Sequence, residues 1–262
     1  MWWFRTSCLL FGGTALLSLS AASGNRWLLH RREVIPIAVC AFFNVCLWQI
    51  FSAYGVSLMP AGRASIIAFT MPLWASIFSV WLLSEQITRT IVIGLILGVS
   101  GLAVLIGPDL LIVQQAPLGP LCMLGAALGW AMGTVLFKRG RWEIAIASNI
   151  GWQLLMGAVP LSIGALALES FPDVSEFSGR VWLALIYVYI FPITFCQWAY
   201  LKTVHLFPAS VAAIGTLMVP VVGVYSSSLL LSEPVGWREV FALVLICSAL
   251  ALVLIFPGRR RN

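Results

Sequence analysis

Charge is the scarcest property of this 262-residue sequence, because only 9% of its residues are charged whereas 61% are hydrophobic. Soluble domains carry about 25% charged residues, so a surface built from this composition would not stay dispersed in water. The apolar runs are long and do not alternate in twos, which favours helices over strands. The sequence therefore predicts an all-α membrane protein, a polytopic helical bundle whose backbone groups are satisfied within each helix.

Motifs for several kinds of chemistry are also missing. The chain has no GxxxxGK[ST] phosphate loop, no HExxH motif and no Ser-His-Asp arrangement, which argues against an ATPase and against a membrane protease. The six cysteines form no CxxC pair and lie in apolar runs, so they are interpreted as packing residues. We therefore predict no enzymatic activity, no cofactor and no metal site. The scattered basic residues also predict no nucleic-acid partner.

Apolar segments of about the 20 residues needed to cross a bilayer fill nearly the whole chain. Turn-forming residues separate them. We predict about nine transmembrane helices, over residues 7–23, 34–57, 64–83, 90–107, 118–137, 144–168, 181–203, 211–231 and 238–256.

The fifteen Lys and Arg residues are distributed unevenly between the two ends of these spans. If the loop after the first span is cytoplasmic, eleven lie on the cytoplasmic side and four on the other, namely Arg5, Arg63, Arg180 and Arg238. This bias follows the positive-inside rule. It predicts a multi-pass protein of the cell inner membrane with a cytoplasmic C-terminus. Residues 1–23 also resemble a cleavable secretory signal, an alternative that the charge bias disfavours.

An internal repeat is the most informative feature of the sequence. Five residues recur at one offset of 148 positions, as the pairs Gln49 and Gln197, Pro60 and Pro208, Pro72 and Pro220, Ser84 and Ser232, and Glu85 and Glu233. Such regularity indicates duplication. The offset covers five predicted spans, and an odd number reverses direction in the membrane. We therefore expect inverted repeats, which in secondary transporters enclose the solute site where the halves meet.

Extrapolation of the offset also predicts the domain organisation. The fifth span corresponds to positions before Met1, so the first repeat, residues 1–110, is expected to contribute four helices. The second repeat, residues 116–257, is expected to contribute five. A complete duplication would have five plus five, so the first helix is expected to be missing. A start at a downstream methionine and a natural truncation both stay open.

The duplicated motifs carry a family resemblance that covers nearly the whole chain. They are the Pro-Ala-x-x-Ala patterns at Pro60 and Pro208, the prolines Pro72 and Pro220, the Ser-Glu pairs ending at Glu85 and Glu233, and Gly129-Trp130-Ala131-Met132-Gly133 ahead of Lys138. The chain resembles the EamA family of the drug/metabolite transporter superfamily. The resemblance implies ten helices in two inverted five-helix repeats, a central cavity, and transport of small metabolites by alternating access. It names no solute.

Uncharged polar and aromatic residues inside the spans are the candidate solute-binding groups, because polar groups are costly in lipid and commonly functional there. Amides both donate and accept hydrogen bonds, which suits a polar or zwitterionic solute. Bonding between helices is the structural alternative for the amides, and packing or a position at the membrane interface is the alternative for the tryptophans. For Thr70 and Thr216 the alternative is to bridge backbone groups freed near the prolines. The predicted substrate-binding residues are Asn44, Trp48, Gln49, Thr70, Trp130, Gln197, Trp198 and Thr216.

Prolines and acids mark further positions in both halves. Pro72 and Pro220 are expected to break backbone hydrogen bonds in mid-helix and to act as hinges, with a static kink as the alternative. Glu85 and Glu233 are expected to complement the dipole of the helix that follows each of them, with a side chain that only extends to the membrane interface as the alternative. No acid falls at the centre of a predicted span, so no embedded proton-coupling carboxylate is predicted.

Glycines spaced four apart indicate surfaces where helices approach closely. They occur as Gly94-xxx-Gly98 and as Gly125-xxx-Gly129-xxx-Gly133. These surfaces pack either within the bundle or between two protomers of a homodimer, and both interpretations stay open.

Together these patterns predict a secondary transporter of small organic metabolites, amino-acid-like or drug-like, that works by alternating access as an exporter. Its expected partners are the solute and the lipid bilayer. One alternative is a non-transporting truncated protein or assembly partner. Another is a membrane enzyme acting on lipid substrates, for which the sequence does not assemble acids and histidines at one place.

Overall fold

The computed structural model describes residues 1–59, 64, 67–106, 118–219, 222 and 236–255. Within these residues the chain forms nine α-helices and no β-strand, which confirms the helical membrane fold. The helices are α1 (Trp2–Ala22), α2 (Arg31–Leu58), α3 (Met71–Leu83), α4 (Arg89–Ile106), α5 (Leu118–Arg139), α6 (Ile146–Leu168), α7 (Gly179–Leu206), α8 (Ala209–Gly215) and α9 (Trp237–Ile255). Helices α1, α2, α5, α6 and α7 are long and apolar enough to cross a membrane.

Helices α2 and α7 each contain a π-helical segment. The segment in α2 is Phe42–Leu47, and the segment in α7 is Tyr189–Cys196. Shifted by the repeat offset, the first segment falls on residues 190–195, inside the second. The π-helix is rare and frequently occurs at functional sites, so its recurrence in register shows that the repeat extends to backbone geometry.

Repeat-related helices α1 and α6 run in opposite directions along each other. Near the start of α1, Trp2 packs against Gly164, where an added Cβ would lie 2.6 Å from the indole ring. Near the end of α1, Ser20 shares a hydrogen bond of 2.6 Å with Ser148. Residue numbers rise along α1 while they fall along α6, which is the arrangement that an inverted repeat requires.

Helices α4 and α9 form a second repeat-related pair. A Cβ added to Gly98 would lie 3.9 Å from the Cβ of Ala249, and one added to Gly101 would lie 2.8 Å from Cγ1 of Ile246. Gly98 and Ile246 are 148 positions apart, as are Gly101 and Ala249, so each contact is the repeat equivalent of the other. The pair is therefore packed around a pseudo-twofold axis, as the inverted fold predicts.

The third predicted span, 64–83, is interrupted. Helical residues up to Ala68 are followed by a turn at Phe69 and Thr70, and α3 then begins at Met71. Pro72 consequently lies in the first turn of α3. A backbone N–H at this position has no acceptor within the helix, so proline, which lacks that N–H, breaks no helical hydrogen bond there. The expectation that Pro72 occupies a mid-helix position was wrong, and the interruption precedes the proline.

The eighth predicted span, 211–231, is also interrupted. Helix α8 ends at Gly215, and Thr216 and Leu217 form a turn with hydrogen bonds to the third residue before each. The hydroxyl group of each threonine donates a hydrogen bond to the carbonyl oxygen three residues earlier, from Thr70 to Ile67 at 2.6 Å and from Thr216 to Ala213 at 2.7 Å. Each half therefore has a discontinuous helix. Pro220 lies outside the described residues.

Glu85 stabilises a different helix from the one expected. Its carboxylate accepts hydrogen bonds from the backbone nitrogen of Ala209 at 3.1 Å and from Oγ of Ser210 at 3.3 Å. It therefore caps α8 in the other repeat, where a negative charge offsets the helix dipole. Helix α4, which follows Glu85 in sequence, begins only at Arg89. Glu233 lies outside the described residues.

One end of the bundle gathers loops that the charge bias assigns to the cytoplasm. Arg26 forms an ion pair with Glu33 and lies 3.5 Å from a carboxylate oxygen of Glu143. Lys138 Nζ donates a hydrogen bond of 2.8 Å to the carbonyl oxygen of His205. These contacts join the loops after α1, α5 and α7 at one end of the molecule.

The glycine stripe of α5 packs within the bundle, against α2. A Cβ added to Gly129 would lie 3.0 Å from the Cβ of Leu47. One added to Gly133 would lie 2.5 Å from the Cβ of Asn44 and 2.6 Å from its backbone nitrogen. This stripe is therefore used for internal packing, and homodimer formation stays a prediction.

Replacing Gly133 with alanine is expected to destabilise the protein by about 1–3 kcal/mol, because the new methyl group meets backbone that cannot rotate away. Thermal unfolding of the purified variant in detergent measures the effect. The matched control is Gly179→Ala, since a Cβ there meets nothing within 4 Å. Equal melting temperatures for the two variants would contradict the packing of α5 on α2.

Candidate functional site

Three aromatic side chains from different helices meet between the repeats. The rings of Trp48 on α2 and Trp130 on α5 have centroids 4.9 Å apart, and those of Trp130 and Tyr200 on α7 are 5.5 Å apart. We call Trp48, Trp130 and Tyr200 the aromatic cluster. The structure thus brings together two of the predicted site residues, one from each half of the chain.

Thr134 extends this cluster and was not among the predicted binding residues. The Tyr200 hydroxyl shares a hydrogen bond of 3.0 Å with Oγ1 of Thr134. Thr134 follows Trp130 by four positions, so both lie on one face of α5. That spacing is the sequence signal that could have found Thr134.

The discontinuous helices end beside the aromatic cluster. A buried set of small side chains and one methionine packs against Trp130 and Tyr200. Its members are Met71, Ala75, Ala127, Ala131 and Ala213. Thr70 precedes Met71, and its Oγ1 accepts a hydrogen bond of 3.2 Å from Nε1 of Trp74. Thr216 bonds to Ala213, so both predicted threonines adjoin this set.

Asn44 belongs to a buried amide network between α2 and α6. Its Nδ2 donates to Oε1 of Gln153 at 3.3 Å, and Nε2 of Gln153 donates to Oδ1 of Asn149 at 2.6 Å. Oδ1 of Asn44 and Nδ2 of Asn149 are buried without a partner. Asn44 therefore joins the first repeat to the second, and its part in solute binding stays a prediction.

Gln49 contacts an arginine that the sequence analysis placed outside the membrane. Nη1 of Arg5 donates to the backbone oxygen of Gln49 at 2.9 Å, to its Oε1 at 2.5 Å and to Oγ of Ser52 at 3.0 Å. Helix α1 begins at Trp2, not at residue 7 as predicted, so Arg5 lies inside the helix. A side chain with three methylene groups before its guanidinium group can reach either position, which is why the sequence did not reveal the contact.

Among the described residues, neither Gln197 nor Trp198 has a hydrogen bond or ring contact with the other predicted site residues. No hydrogen bond joins Gln197 to Gln49 in the described part of the chain, although the two are repeat mates. Trp198 lies beside Phe195, with ring centroids 6.1 Å apart, and packs against a separate buried cluster of apolar residues. The aromatic cluster therefore contains Trp48 and Trp130 but not Trp198.

Two acids after α6, Glu169 and Asp173, have hydrogen-bond partners within the protein. Glu169, just after α6, accepts hydrogen bonds from the Met1 ammonium group at 2.6 Å and from the Trp3 backbone nitrogen at 3.2 Å. The bond from the ammonium group holds the pKa of Glu169 below its usual value. Asp173 accepts from the hydroxyl and backbone nitrogen of Ser175, which lowers its pKa.

Comparison with known proteins agrees with this geometry. The model of the EamA-like transporter family matches residues 1–107 and 117–255. The chain belongs to the EamA-like transporter family. A solved crystal structure with 19% sequence identity superposes on it with a TM-score of 0.83, covering 98% of this chain and 89% of the other. That likeness supports the fold of this EamA-like protein.

Relatives of this EamA-like protein are named as transporters. The uncharacterized transporter YvbV of Bacillus subtilis (strain 168) is 30% identical over 249 residues, covering 93% of this chain and 79% of its own length. The uncharacterized transporter YoaV of the same organism is 29% identical over 210 residues, covering 79% and 71%. A probable amino-acid metabolite efflux pump of Salmonella typhimurium is 28% identical over 214 residues, covering 73% and 67%.

The hydrogen bond between Thr134 and Tyr200 is testable by a double-mutant cycle. Thr134→Val and Tyr200→Phe are each expected to lower the free energy of unfolding by about 1 kcal/mol. The double variant is expected to lose less than the sum, because both substitutions remove the same bond. Unfolding in detergent provides the measurement. Thr14→Val is the control, since Thr14 bonds only to carbonyl groups of its own helix; strictly additive losses would show that the two side chains do not interact.

Proposed function

We propose that this EamA-like protein is a secondary transporter that exports small organic solutes of the amino-acid or drug-like class by alternating access. The observation that carries the proposal is the aromatic cluster, in which Trp48 of the first half meets Trp130 and Tyr200 of the second. A solute between these rings would contact both halves at once. A relative movement of the halves would then change the side from which the solute is reached.

The packing of the repeats supports such a movement. Helices α1 and α6, and likewise α4 and α9, are repeat mates in direct antiparallel contact, with glycine at both contacts. Alternating access in inverted-repeat transporters proceeds by rocking of one repeat against the other around a fixed site. The turns at Thr70 and Thr216 lie beside the aromatic cluster, and such helix ends absorb changes in backbone angles. We propose that Pro72, in the turn of helix after Thr70, stiffens one side of this hinge.

The solute class and the direction of transport are supported by relatives. The matching proteins of Salmonella typhimurium and Escherichia coli (strain K12) are both named probable amino-acid metabolite efflux pumps. An amino acid has an apolar part that the aromatic cluster can contact and polar ends that amides such as Gln49 can bind. Export of amino-acid-like solutes is therefore the function that site and relatives support together.

Removing one wall of the aromatic cluster should slow export. Trp130→Ala is expected to lower the rate by about tenfold, because the loss of an aromatic contact of about 1.4 kcal/mol weakens solute binding by that factor. The measurement is release of free amino acids from cells loaded with dipeptides, at matched expression. Trp81→Ala is the control, since Trp81 is 75% exposed on the outer face of α3. Equal release by both variants and the unmodified protein would remove the aromatic cluster from the transport pathway.

We propose that the protein lies in the inner membrane with the Arg26 and Lys138 end of the bundle in the cytoplasm, together with the C-terminus. The excess of basic residues in the loops at that end supports this orientation.

A green fluorescent protein fused to the C-terminus is therefore expected to fluoresce, and alkaline phosphatase fused there is expected to be inactive. The control is phosphatase inserted into the loop of residues 169–178, which should be active because this loop lies at the opposite end. The reverse pattern of activities would contradict the orientation.

A further inference from the structure

Arg5 is a permanent positive charge placed inside a membrane-spanning helix. It is the fourth residue of α1, about one helical turn from the end opposite the basic loops. A guanidinium group does not deprotonate in proteins, and a charge at such a depth is costly unless it is paired or functional. We therefore expect Arg5 to have either a charged partner or a functional role.

The protein satisfies only one edge of this guanidinium group. All three of its hydrogen bonds come from Nη1, and they go to the backbone oxygen and Oε1 of Gln49 and to Oγ of Ser52. Nε and Nη2 donate no hydrogen bond to the residues that the structure describes. They are also not among the side-chain atoms that are buried without a partner, so neither nitrogen is fully enclosed by protein.

In the part of the chain that the structure describes, no acid neutralises this charge. Each acceptor on Gln49 and Ser52 is uncharged, and in the described part of the chain no carboxylate oxygen lies within the 4.0 Å of an ion pair with Arg5. Glu169, just after α6, pairs with the Met1 ammonium group, and Asp173 accepts hydrogen bonds from Ser175. A half-buried cation without an anionic partner among the described residues is suited to bind an external anion.

The free edge has the geometry that carboxylates prefer. Nε and Nη2 lie on the same side of the planar guanidinium group and point two N–H groups in parallel, which matches the two oxygens of a carboxylate. Three bonds to Nη1 fix the plane before a ligand arrives, so little conformational freedom is lost on binding. We propose that Arg5 binds the carboxylate group of the transported solute, with Gln49 and Ser52 as positioning residues.

This inference rests on the proposed function and narrows its substrate class to carboxylates. Ser52 follows Trp48 of the aromatic cluster by four positions, so both lie on one face of α2, and an apolar side chain on the same solute would extend toward that cluster. Both amino acids and simple carboxylic acids carry the required group. An uncharged or cationic analogue that lacks the carboxylate would not bind at Arg5.

Binding of three matched probes to the purified protein in detergent tests the proposal. The probes are L-leucine, 4-methylpentanoate, which lacks the amine, and L-leucinamide, which lacks the carboxylate; isothermal titration calorimetry gives the dissociation constants. We expect 4-methylpentanoate to bind at least tenfold more tightly than leucinamide. Leucine tighter than 4-methylpentanoate would identify amino acids as the source of the carboxylate, and equal affinities would identify carboxylic acids in general. Leucinamide binding as tightly as 4-methylpentanoate, or no binding of either carboxylate, would overturn the proposal.

Variants assign the carboxylate preference to Arg5. Arg5→Gln is expected to weaken binding of both carboxylates by about 10- to 100-fold, the range for hydrogen bonds to a charged group, and to leave leucinamide unchanged. Arg5→Lys keeps the charge but loses the planar edge, so its affinity should lie between those of Arg5→Gln and the unmodified protein. Arg180→Gln, an exposed arginine at the start of α7, is the control and should bind all three probes normally.

A misfolded Arg5→Gln variant would not block the test, because Arg5→Lys retains the charge that the fold accommodates. A carboxylate affinity within threefold of the unmodified protein in a folded Arg5→Gln variant, or an affinity equal to that of the unmodified protein in a folded Arg5→Lys variant, would overturn the proposal. Flux in proteoliposomes separates this inference from the proposed function. Carboxylate binding that depends on Arg5 without flux would overturn the transporter proposal alone. Carboxylate flux that is unaffected by Arg5→Gln would overturn only the role of Arg5.

Discussion

Lipid tails are as apolar as leucine, so burial of apolar surface cannot hold these helices together, and association must come from surfaces that approach closely. Glycine provides those surfaces at three of the main helix contacts. It lies between α1 and α6, between α4 and α9, and along α5 where that helix packs on α2. Two of these contacts join repeat mates across the pseudo-twofold axis, and the third sets Trp130 opposite Trp48. The aromatic cluster therefore depends on glycines at helix contacts elsewhere in the bundle.

The sequence predicted the features that depend on hydropathy and spacing. The helical bundle, the inverted halves and the close approach along α5 all follow from apolar length, an odd number of spans and glycines four apart, and the structure agrees. Features that depend on a helix boundary were missed. The turn at Thr70 lies ahead of Pro72, and α1 starts before Arg5. Apolar residues flank both points, so hydropathy alone does not locate them. The capping of α8 by Glu85 depends on a contact 124 residues away, which spacing cannot reveal.

The candidate site shows how far duplication can be used to transfer a role between halves. Gln49 and Gln197 are repeat mates, yet Gln49 holds a guanidinium group while Gln197 has no side-chain partner in the described part of the chain. The difference originates one helix earlier, because the repeat offset pairs Arg5 with Gln153. Arg5 bonds within the first half, whereas Gln153 bonds across to Asn44. Once one copy carried a charge, the two halves no longer offered the same environment to matched amides.

The π-helical segments of α2 and α7 affect every residue that follows them. An α-helix turns by about 100° per residue, so removing one residue from Phe42–Leu47 would rotate Trp48 by roughly that angle, away from Trp130. Each segment therefore sets the azimuth of the side chains between it and the end of its helix. Because both copies carry the feature in register, the simplest history is that the ancestral half already possessed it. The orientation of the side chains that follow each π-helical segment would then predate the duplication.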